Sequence, residues 1–190
     1  MTNRSKPAVF ILSLLILTGT LAPQPADGAH AKLDTPNKVV DELYRLVTWP
    51  GGTLPDWDAL KGLFLEESVI ILKSREGFNV TDREGFIDLW LKDVESYKLN
   101  ETGFKEEQVA LHLEQSGDMA YAVAVYAASI PGRDRPPQLG IDGYHLIKQG
   151  DRWWITSVIN EVLRPGVEIP EKLREKTQAF IEKIRESLKR

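Results

Sequence analysis

Residues 143–162 contain the feature that decides the fold, and they read GYHLIKQGDRWWITSVINEV. Two runs with the alternating pattern of β-strands flank Gly150-Asp151, and glycine in the first position favours a two-residue type II′ turn. Neighbouring side chains of a strand point to opposite faces, so Trp153 and Trp154 lie on different faces. Large aromatic residues on both faces indicate a sheet that is covered on both sides, as in a curved sheet with an interior pocket.

This turn also predicts the register of the hairpin. Gln149 pairs with Arg152, and counting back along both strands sets His145 opposite Thr156. One face then carries Asp142, Tyr144, Leu146, Lys148, Trp153, Ile155, Ser157, Ile159 and Glu161. The other carries His145, Ile147, Trp154, Thr156, Val158 and Asn160. One face lines the pocket and the other is covered by a helix or a second subunit; the pattern leaves open which is which.

The first half of the chain predicts three helices and one strand. Thr35 caps a first helix with Pro36 in its first turn, and residues 49–55 form a loop. Asp56 caps a second helix that extends to Phe64, and residues 68–73 form a buried strand. Thr81 and Glu84 form a capping box for a third helix. That helix turns five side chains toward the core: Phe86, Ile87, Trp90, Leu91 and Val94.

From Lys105 onward the apolar period changes from helical to two, which predicts antiparallel strands. Ser116-Gly117 marks one hairpin turn, a long strand covers residues 119–130, and the Gly150-Asp151 hairpin follows. Residues 170–190 predict a last amphipathic helix with a stripe of Leu173, Phe180, Ile181, Ile184 and Leu188. Helices that are segregated from an antiparallel sheet make an α+β domain.

The charge balance disfavours a nucleic-acid-binding protein. The 190 residues include 24 Lys and Arg against 28 Asp and Glu, for a net charge of -4. DNA- and RNA-binding domains need clusters of basic residues to neutralise phosphates. Cysteine is absent, which rules out disulfide staples and thiol catalysis.

The N-terminus has the three parts of a signal peptide. Arg4 and Lys6 precede the short apolar run 8–17, and Ala29-His30-Ala31 has the small residues of a cleavage site. The run is shorter than the ~20 residues that span a bilayer, so no stable membrane anchor is expected. We expect cleavage near Ala31 and a secreted or periplasmic protein that begins near Lys32.

Three motifs follow one another along the chain: the helix-1 stretch 39–47, the run 58–69 with an aromatic residue and an acidic pair, and the closing segment 150–155. Together they resemble the nuclear transport factor 2-like (NTF2-like) superfamily, and its SnoaL-like branch in particular. The resemblance implies a cone: a strongly curved antiparallel sheet wrapped around the N-terminal helices, with a pocket at its open end. It divides the chain into a signal peptide (1–31), the cone domain (32–165) and a C-terminal helix (166–190).

The best-known enzyme pattern of that superfamily is ketosteroid isomerase, in which a helix-1 tyrosine donates to an oxyanion and an aspartate acts as base. Tyr44 lies at the position of that tyrosine. The position of the base falls on Leu72, which cannot accept a proton. The resemblance therefore does not carry that mechanism over, and Tyr44 is either a pocket or core residue or an oxyanion donor.

Candidate catalytic residues are His145, Asp142 and Tyr44. A histidine between apolar strand neighbours is either structural or functional, and His145 is favoured over His112 because Thr156 and Asn160 could orient its ring. Asp142 and Glu161 could form a carboxylate pair for acid/base work, or be solvated at the strand ends. Seven residues are expected to bind the ligand: Tyr44, Trp90, Tyr126, His145, Trp154, Thr156 and Asn160. No cofactor is expected, and no spacing indicates a metal site.

Three functions remain open on the sequence. The first is an exported cone domain that holds a small apolar or amphipathic ligand. The second is an isomerase, dehydratase or hydrolase that uses His145 with Asp142 or Tyr44. The third is an interaction module that forms a homodimer through the exposed face of its sheet.

Overall fold

A computed structural model describes residues 32–189 of the chain. The predicted signal peptide and its cleavage site lie outside these residues. Within residues 32–189, no helix is both long enough and apolar enough to cross a bilayer.

The described chain contains five helices and seven strands. The helices are α1 Pro36–Leu46, α2 Trp57–Lys61, α3 Arg83–Tyr97, α4 Leu99–Thr102 and α5 Glu171–Ser187. The strands are β1 Trp49–Pro50, β2 Phe64–Lys73, β3 Phe78–Thr81, β4 Gly103–Ser116, β5 Met119–Ser129, β6 Gln138–Gln149 and β7 Arg152–Val162.

The strands form a single sheet in the order β1-β4-β5-β6-β7-β2-β3. All pairs are antiparallel except β2 with β7, which run parallel. The α+β class is therefore confirmed, but the sheet is mixed where a purely antiparallel one was expected. Strands β1 and β3 were not predicted, because β1 has only two residues and β3 is exposed on the edge of the sheet.

The predicted caps of the first two helices are confirmed by their hydrogen bonds. Thr35 accepts a hydrogen bond from the Lys38 amide, and Asp56 accepts one from the Ala59 amide. The expected cap at Thr81 is wrong: Thr81 ends β3, and the adjacent Asp82 accepts from the Gly85 amide instead. Thr81 and Asp82 could both cap this helix. Because Thr81 is paired in β3, Asp82 is the residue that caps it.

Two further helix predictions are wrong. The second helix ends at Lys61, and Phe64 begins β2, where it pairs with Ile155. Leu91, expected on the core face of α3, is 44% exposed. Phe86, Ile87 and Val94 are buried as expected, and Trp90 is half-buried and packs against both main apolar clusters.

The main core lies between the helices and the concave face of the sheet. Helix α1 contacts both β4 and β7, and α3 packs on β2. Strands β4 and β7 are three steps apart in the sheet, or about 14 Å in a flat sheet. A helix about 10 Å across can touch both only because the sheet curves around it. The cone architecture is confirmed.

The β6–β7 hairpin has the predicted turn but not the predicted register throughout. Gln149 pairs with Arg152, and Gly150 has a φ of 62°, as a type II′ turn requires. A β-bulge follows, because Leu146 pairs with Ile155 while His145 pairs with Ser157, which leaves Thr156 as the extra residue. The predicted pairing of His145 with Thr156 is therefore wrong.

The bulge exchanges the two faces of β7 beyond Thr156. Trp153 and Ile155 face the core with Leu146, and Val158 and Asn160 continue that face opposite Tyr144 and Asp142. Ser157, Ile159 and Glu161 pass to the outer face with His145. An extra residue in one strand of a pair is the ordinary cause of such a switch.

The outer face of the sheet is covered only in part. Helix α5 packs on β4 and β5, where Leu173 joins Ala110 and Val125 in a small apolar cluster. Its Lys172 binds Glu114 of β4 at 2.7 Å. Trp154 is also on the outer face, buried under the Arg152 guanidinium at 3.9 Å from its ring centre. Both tryptophans of the hairpin are thus covered, one by the core and one by its own strand neighbour.

Candidate functional site

A cavity of about 230 Å³ lies between α1, α3 and the concave face of the sheet. Its apolar walls are Leu43, Val47, Phe64, Leu72, Phe86, Leu89, Trp90 and Val158. The other lining residues are Lys73, Asp93, Glu106, Tyr126, Asp142, Tyr144 and Asn160. Apolar walls with a few converging polar groups are typical of small-molecule sites.

Asp142 is the centre of the polar part of this cavity. The Tyr44 hydroxyl donates to Oδ2 of Asp142 at 2.8 Å, and the Asn160 amide donates to Oδ1 at 2.9 Å. The Tyr144 hydroxyl lies 2.9 Å from Oδ2 and 3.0 Å from the Tyr44 hydroxyl. A carboxylate surrounded by donors in this way is held in one orientation, and the donors oppose the rise in its pKa that burial causes.

Local structure explains why these side chains meet. Asp142 and Tyr144 are two residues apart on β6, so both point inward. The bulge at Thr156 brings Asn160 opposite Asp142. Tyr44 reaches them from α1, where its side chain is buried.

Tyr126 of β5 completes the polar cluster because Gly140 leaves room for it. The second proton of the Asn160 amide goes to the Tyr126 hydroxyl at 2.9 Å. A Cβ atom at Gly140 would lie 2.1 Å from both Cζ and the hydroxyl oxygen of Tyr126. Only glycine at this position allows the phenol ring to cross β6 and reach Asn160.

Burial and the charge of Asp142 act together on the tyrosines. Burial first, and the negative charge of Asp142 second, raise the pKa values of Tyr44 and Tyr144 well above their usual range. Burial also raises the pKa of Asp142, while hydrogen bonds from Asn160, Tyr44 and Tyr144 act in the opposite direction. The tyrosines therefore remain neutral donors at any physiological pH.

Glu106 of β4 is a second acidic group in the cavity, and its surroundings differ from those of Asp142. Thr48 holds its backbone in place: the Thr48 hydroxyl donates to the Glu106 carbonyl at 2.8 Å and accepts from its amide at 2.9 Å. Among the described residues, no side chain donates to the Glu106 carboxyl. Burial, and then the charge of Asp142, raise the pKa of Glu106 well above its usual range.

The two carboxyl groups therefore differ in their surroundings. Burial raises the pKa of both, and hydrogen bonds from Asn160, Tyr44 and Tyr144 oppose that rise at Asp142. No described side chain donates to the Glu106 carboxyl, so the rise there is not opposed. Environments that treat two acids so differently are a common feature of catalytic and binding sites.

Trp90 adds a further polar atom without a partner. Its Nε1 is buried, and no acceptor for it is found among residues 32–189. The ring packs edge-on against Trp49, Phe86 and Phe104, with ring centres 5.7, 6.4 and 5.2 Å away. The indole is thus fixed in the wall of the cavity with an unused hydrogen-bond donor.

Five of the residues selected from the sequence meet at this site. Trp90, Tyr126, Asp142 and Asn160 line the cavity, and Tyr44 binds Asp142 directly. Leu72, at the position of the isomerase base, also lines the cavity. It offers no proton acceptor there.

Three other selected residues lie elsewhere. His145 is exposed on the outer face, where its Nδ1 lies 2.9 Å from the Ser157 hydroxyl. Thr156 lies at the bulge, and its hydroxyl donates to the His145 carbonyl at 3.1 Å. Trp154 is on the outer face as well. None of the three lines the cavity. His145 and Trp154 lie on the face opposite to Tyr144 and Trp153, as the alternation predicted, and the cavity is on the Tyr144 face.

Asp142 and Glu161 do not form the carboxylate pair that was one of two alternatives for them, and Asp142 is buried, not solvated. Glu161 pairs with Ile141 and binds Arg164 at 2.8 Å, away from the cavity. The acidic partner of Asp142 is Glu106, which sequence reasoning missed. Tyr144 was missed as a site residue too, although its spacing of two from Asp142 could have indicated it. Across residues 32–189, no three histidine, aspartate or glutamate side chains are grouped as metal ligands.

Comparisons with known proteins establish the fold and nothing finer. No protein-family model matches the sequence. No curated protein matches it closely enough to count as a relative. Solved structures with the same architecture are found, all at low sequence identity.

Three of these structures illustrate the likeness. An NTF2-like protein of unknown function from Pseudomonas putida is 11% identical, with a TM-score of 0.53 over 70% of this chain and 93% of that one. A protein of unknown function with a cystatin-like fold from Nostoc punctiforme is 9% identical, with a TM-score of 0.53 over 69% and 90%. A Novosphingobium aromaticivorans protein, proposed to be a scytalone dehydratase, is 14% identical, with a TM-score of 0.50 over 70% and 86%. The chain therefore has the NTF2-like fold that its motifs predicted.

Proposed function

We propose that this protein binds a compact small molecule, mostly apolar with one polar end, in the cavity around Asp142. The observation that carries this proposal is a cavity of about 230 Å³ with aromatic and aliphatic walls, into which a few polar groups converge, among them Asp142, Glu106 and Asn160. Such a combination is typical of sites that bind and orient small molecules.

The volume of the cavity limits the size of the ligand. An apolar cavity of about 150 Å³ holds benzene, and drug-sized pockets begin at about 300 Å³. At about 230 Å³ this cavity suits a single substituted ring or a small bicyclic compound. Larger ligands would have to extend through the mouth past Lys73 and Asp93.

Native mass spectrometry of gently purified protein tests the proposal, with two variants of α3 as a matched pair. Leu89 lines the cavity, so Leu89→Trp should fill it and abolish retention of the bound compound. Leu91 is on the same helix but 44% exposed, so Leu91→Trp should retain the compound as wild type does. Equal retention by both variants would show that the cavity is not the binding site.

A second candidate function is proton transfer on the bound molecule. The observation that favours it is that Glu106 and Asp142 line one cavity and differ in their hydrogen-bond donors, as an acid and a base in one site would. Tyr44 would then act as a neutral donor to developing charge. The fold cannot decide between binding and catalysis, because one scaffold can host many activities.

Glu106→Gln separates the two functions. The amide keeps the shape and a hydrogen-bond donor but cannot transfer a proton. Turnover of the compound identified by mass spectrometry should disappear in an enzyme, while binding persists. A variant that retains full turnover would exclude Glu106 as the acid.

Export and self-association belong to the same proposal. The expected cleavage near Ala31 is tested by N-terminal sequencing of the protein recovered from culture medium or periplasm, which should begin near Lys32. A homodimer would use the part of the outer face that α5 leaves open, where Val69, Tyr121 and Ile159 are exposed. Sedimentation of wild type and of Tyr121→Glu should then show a dimer that the charged variant disrupts, whereas a monomeric wild type would end this part of the proposal.

A further inference from the structure

We propose that the open edge of β4, between α1 and α5, binds an extended segment of a partner polypeptide as an additional strand of the sheet. This edge is separate from the cavity around Asp142, so the two binding sites are tested independently.

The outer edge of β4 is paired along only part of its length. Strand β1 pairs with Gly103 and Phe104, and the Thr48 hydroxyl then binds both the carbonyl and the amide of Glu106. From residue 107 to residue 116, the only strand that pairs with β4 within residues 32–189 is β5, on its other side. Every second residue of such an edge turns its backbone N–H and C=O away from the sheet, where a further strand can bind them.

This open edge is the floor of a groove of about 540 Å³. Residues 108–113 form the floor. Asn37 and Asp41 of α1 form the wall on the inner face of the sheet, and Lys176 of α5 forms the wall on the outer face. A strand rises about 3.3 Å per residue, so the groove is about 20 Å long and accommodates a segment of roughly six residues.

The two walls favour an isolated strand over the edge of a second sheet. Because the groove lies between the two helices with β4 at its floor, both helices project past the edge of the sheet. Two copies of the chain that paired through β4 would bring these helices into collision before their strands reached the spacing of about 4.8 Å that pairing requires. A single extended segment carries no helices, and it can add to the sheet through main-chain hydrogen bonds.

The charged residues of the two walls lie at the same end of the groove. The Gln108 side-chain amide donates to Asp41 at 3.4 Å. Helix α5 runs back along β4 from Lys172, which binds Glu114 at 2.7 Å. Lys176 is one helical turn later and therefore lies toward residue 108. Both Asp41 and Lys176 are exposed, so they are accessible to a bound segment.

These charges predict a sequence pattern for the segment. Its side chains point alternately to the two walls. A residue that points to α1 meets Asp41, and its neighbour points to α5 and meets Lys176, so a basic residue beside an acidic one fits this end. At the other end, Leu111 and Leu113 lie half-buried on the α1 side, where they favour apolar side chains of the segment.

Two peptides of identical composition test this pattern, TVTVEKT and TVTVKET. Paired antiparallel to β4, as β1 is, the first peptide turns its valines toward Leu113 and Leu111, its glutamate toward Lys176 and its lysine toward Asp41. The second peptide exchanges the two charges, so each meets a like charge. Fluorescence anisotropy with the mature chain at low salt should show that TVTVEKT binds tighter by about fivefold or more. Added salt should reduce this preference.

Charge reversal in the protein should reverse the preference. The double variant Asp41→Lys/Lys176→Glu should bind TVTVKET more tightly than TVTVEKT, and both positions are exposed, so folding should be unaffected. The matched control is Asp88→Lys/Lys183→Glu, which makes the same exchange at two exposed positions outside the groove. It should keep the wild-type preference.

Methylation of the peptide backbone tests strand pairing itself. Alternate amides of a bound strand point to β4 and the others point away from it. Of two TVTVEKT peptides that are N-methylated on alternate amides, one should lose binding and the other should retain it. Equal affinity of TVTVEKT and TVTVKET, no detectable binding of either, or equal loss with both methylated peptides would each overturn the inference. So would a dimer of the mature chain that the Asp41→Lys/Lys176→Glu variant dissociates, because a second copy would then occupy the edge.

Discussion

Gly140→Ala should destabilise the protein by displacing Tyr126 from the site. The new methyl carbon would lie 2.1 Å from Cζ and the hydroxyl oxygen of Tyr126, where ordinary contacts begin at 3.4 Å. The phenol ring must therefore move by more than an ångström. It is buried, so it has little free space into which to move, and moving breaks its 2.9 Å hydrogen bond with Asn160.

The expected loss is the sum of two effects. Overpacking of a filled core typically destabilises by about 1–3 kcal/mol. Loss of one hydrogen bond adds about 0.5–1.5 kcal/mol. We expect a total of about 2–4 kcal/mol, which for a chain of this length lowers the Tm by roughly 5–15 °C.

Gly143→Ala is the matched control, three residues further along the same strand. Its Cβ would meet only the Ile159 carbonyl oxygen at 3.8 Å, an ordinary contact. Replacing glycine in a strand at a compatible backbone conformation is neutral or stabilising by up to about 1 kcal/mol. The urea midpoints of the two variants should therefore shift from the wild-type midpoint in opposite directions, or by very different amounts. Similar midpoints for the two would refute the packing of Tyr126 on Gly140.

Three further results are expected from the polar groups. Wild-type stability should fall relative to Glu106→Gln as pH rises above 4.5, because the folded protein keeps a proton there that the unfolded chain releases. Parallel melting curves across pH 5–9 would contradict the raised pKa. Tyr44→Phe should destabilise by about 1.5–3 kcal/mol by removing a hydrogen bond to a buried carboxylate, while Tyr97→Phe, on a 47% exposed residue, should not. The ion pair with Lys172 lowers the pKa of Glu114 to about 2, so the protection of α5 amides against hydrogen exchange, relative to the intrinsic rate at each pH, should fall between pH 4.5 and 2. Glu114→Gln should show the lower protection at neutral pH already, and wild-type protection in this variant would show that the ion pair does not hold α5 on the sheet.

Local signals in the sequence were sufficient for most of the fold. A threonine before a proline, a glycine at a two-residue turn and a change of period at Lys105 each reflect interactions between residues close in the chain. The parallel pairing of β2 with β7 depends on residues about 90 positions apart, such as Phe64 and Ile155. The apolar pattern of residues 68–73 fits a parallel and an antiparallel neighbour equally well, so it could not predict the direction in which the two strands pair.

A single extra residue accounts for the errors in β7 beyond Thr156. The strict alternation from Gly150-Asp151 is correct as far as Ile155, and Thr156 then reverses it. The apolar residues do show a step of three at this point, from Ile155 to Val158. However, Ile159 is apolar too and continues the regular alternation equally well. The sequence alone is compatible with two registers here, and packing against α1 and α3 determines which one forms.

The different surroundings of Asp142 and Glu106 show what a pattern of residues cannot supply. Both are strand carboxylates, and nothing nearby in the chain ranks one as the acid. The difference comes from hydrogen-bond donors. Tyr44, which donates to Asp142, is 98 residues away from it in the chain. No described side chain donates to the Glu106 carboxyl. A strand position determines which face a carboxyl occupies, and its protonation then depends on what the rest of the fold brings to that face. Glu106, the residue that sequence reasoning missed, is for this reason the one on which the proposed chemistry depends.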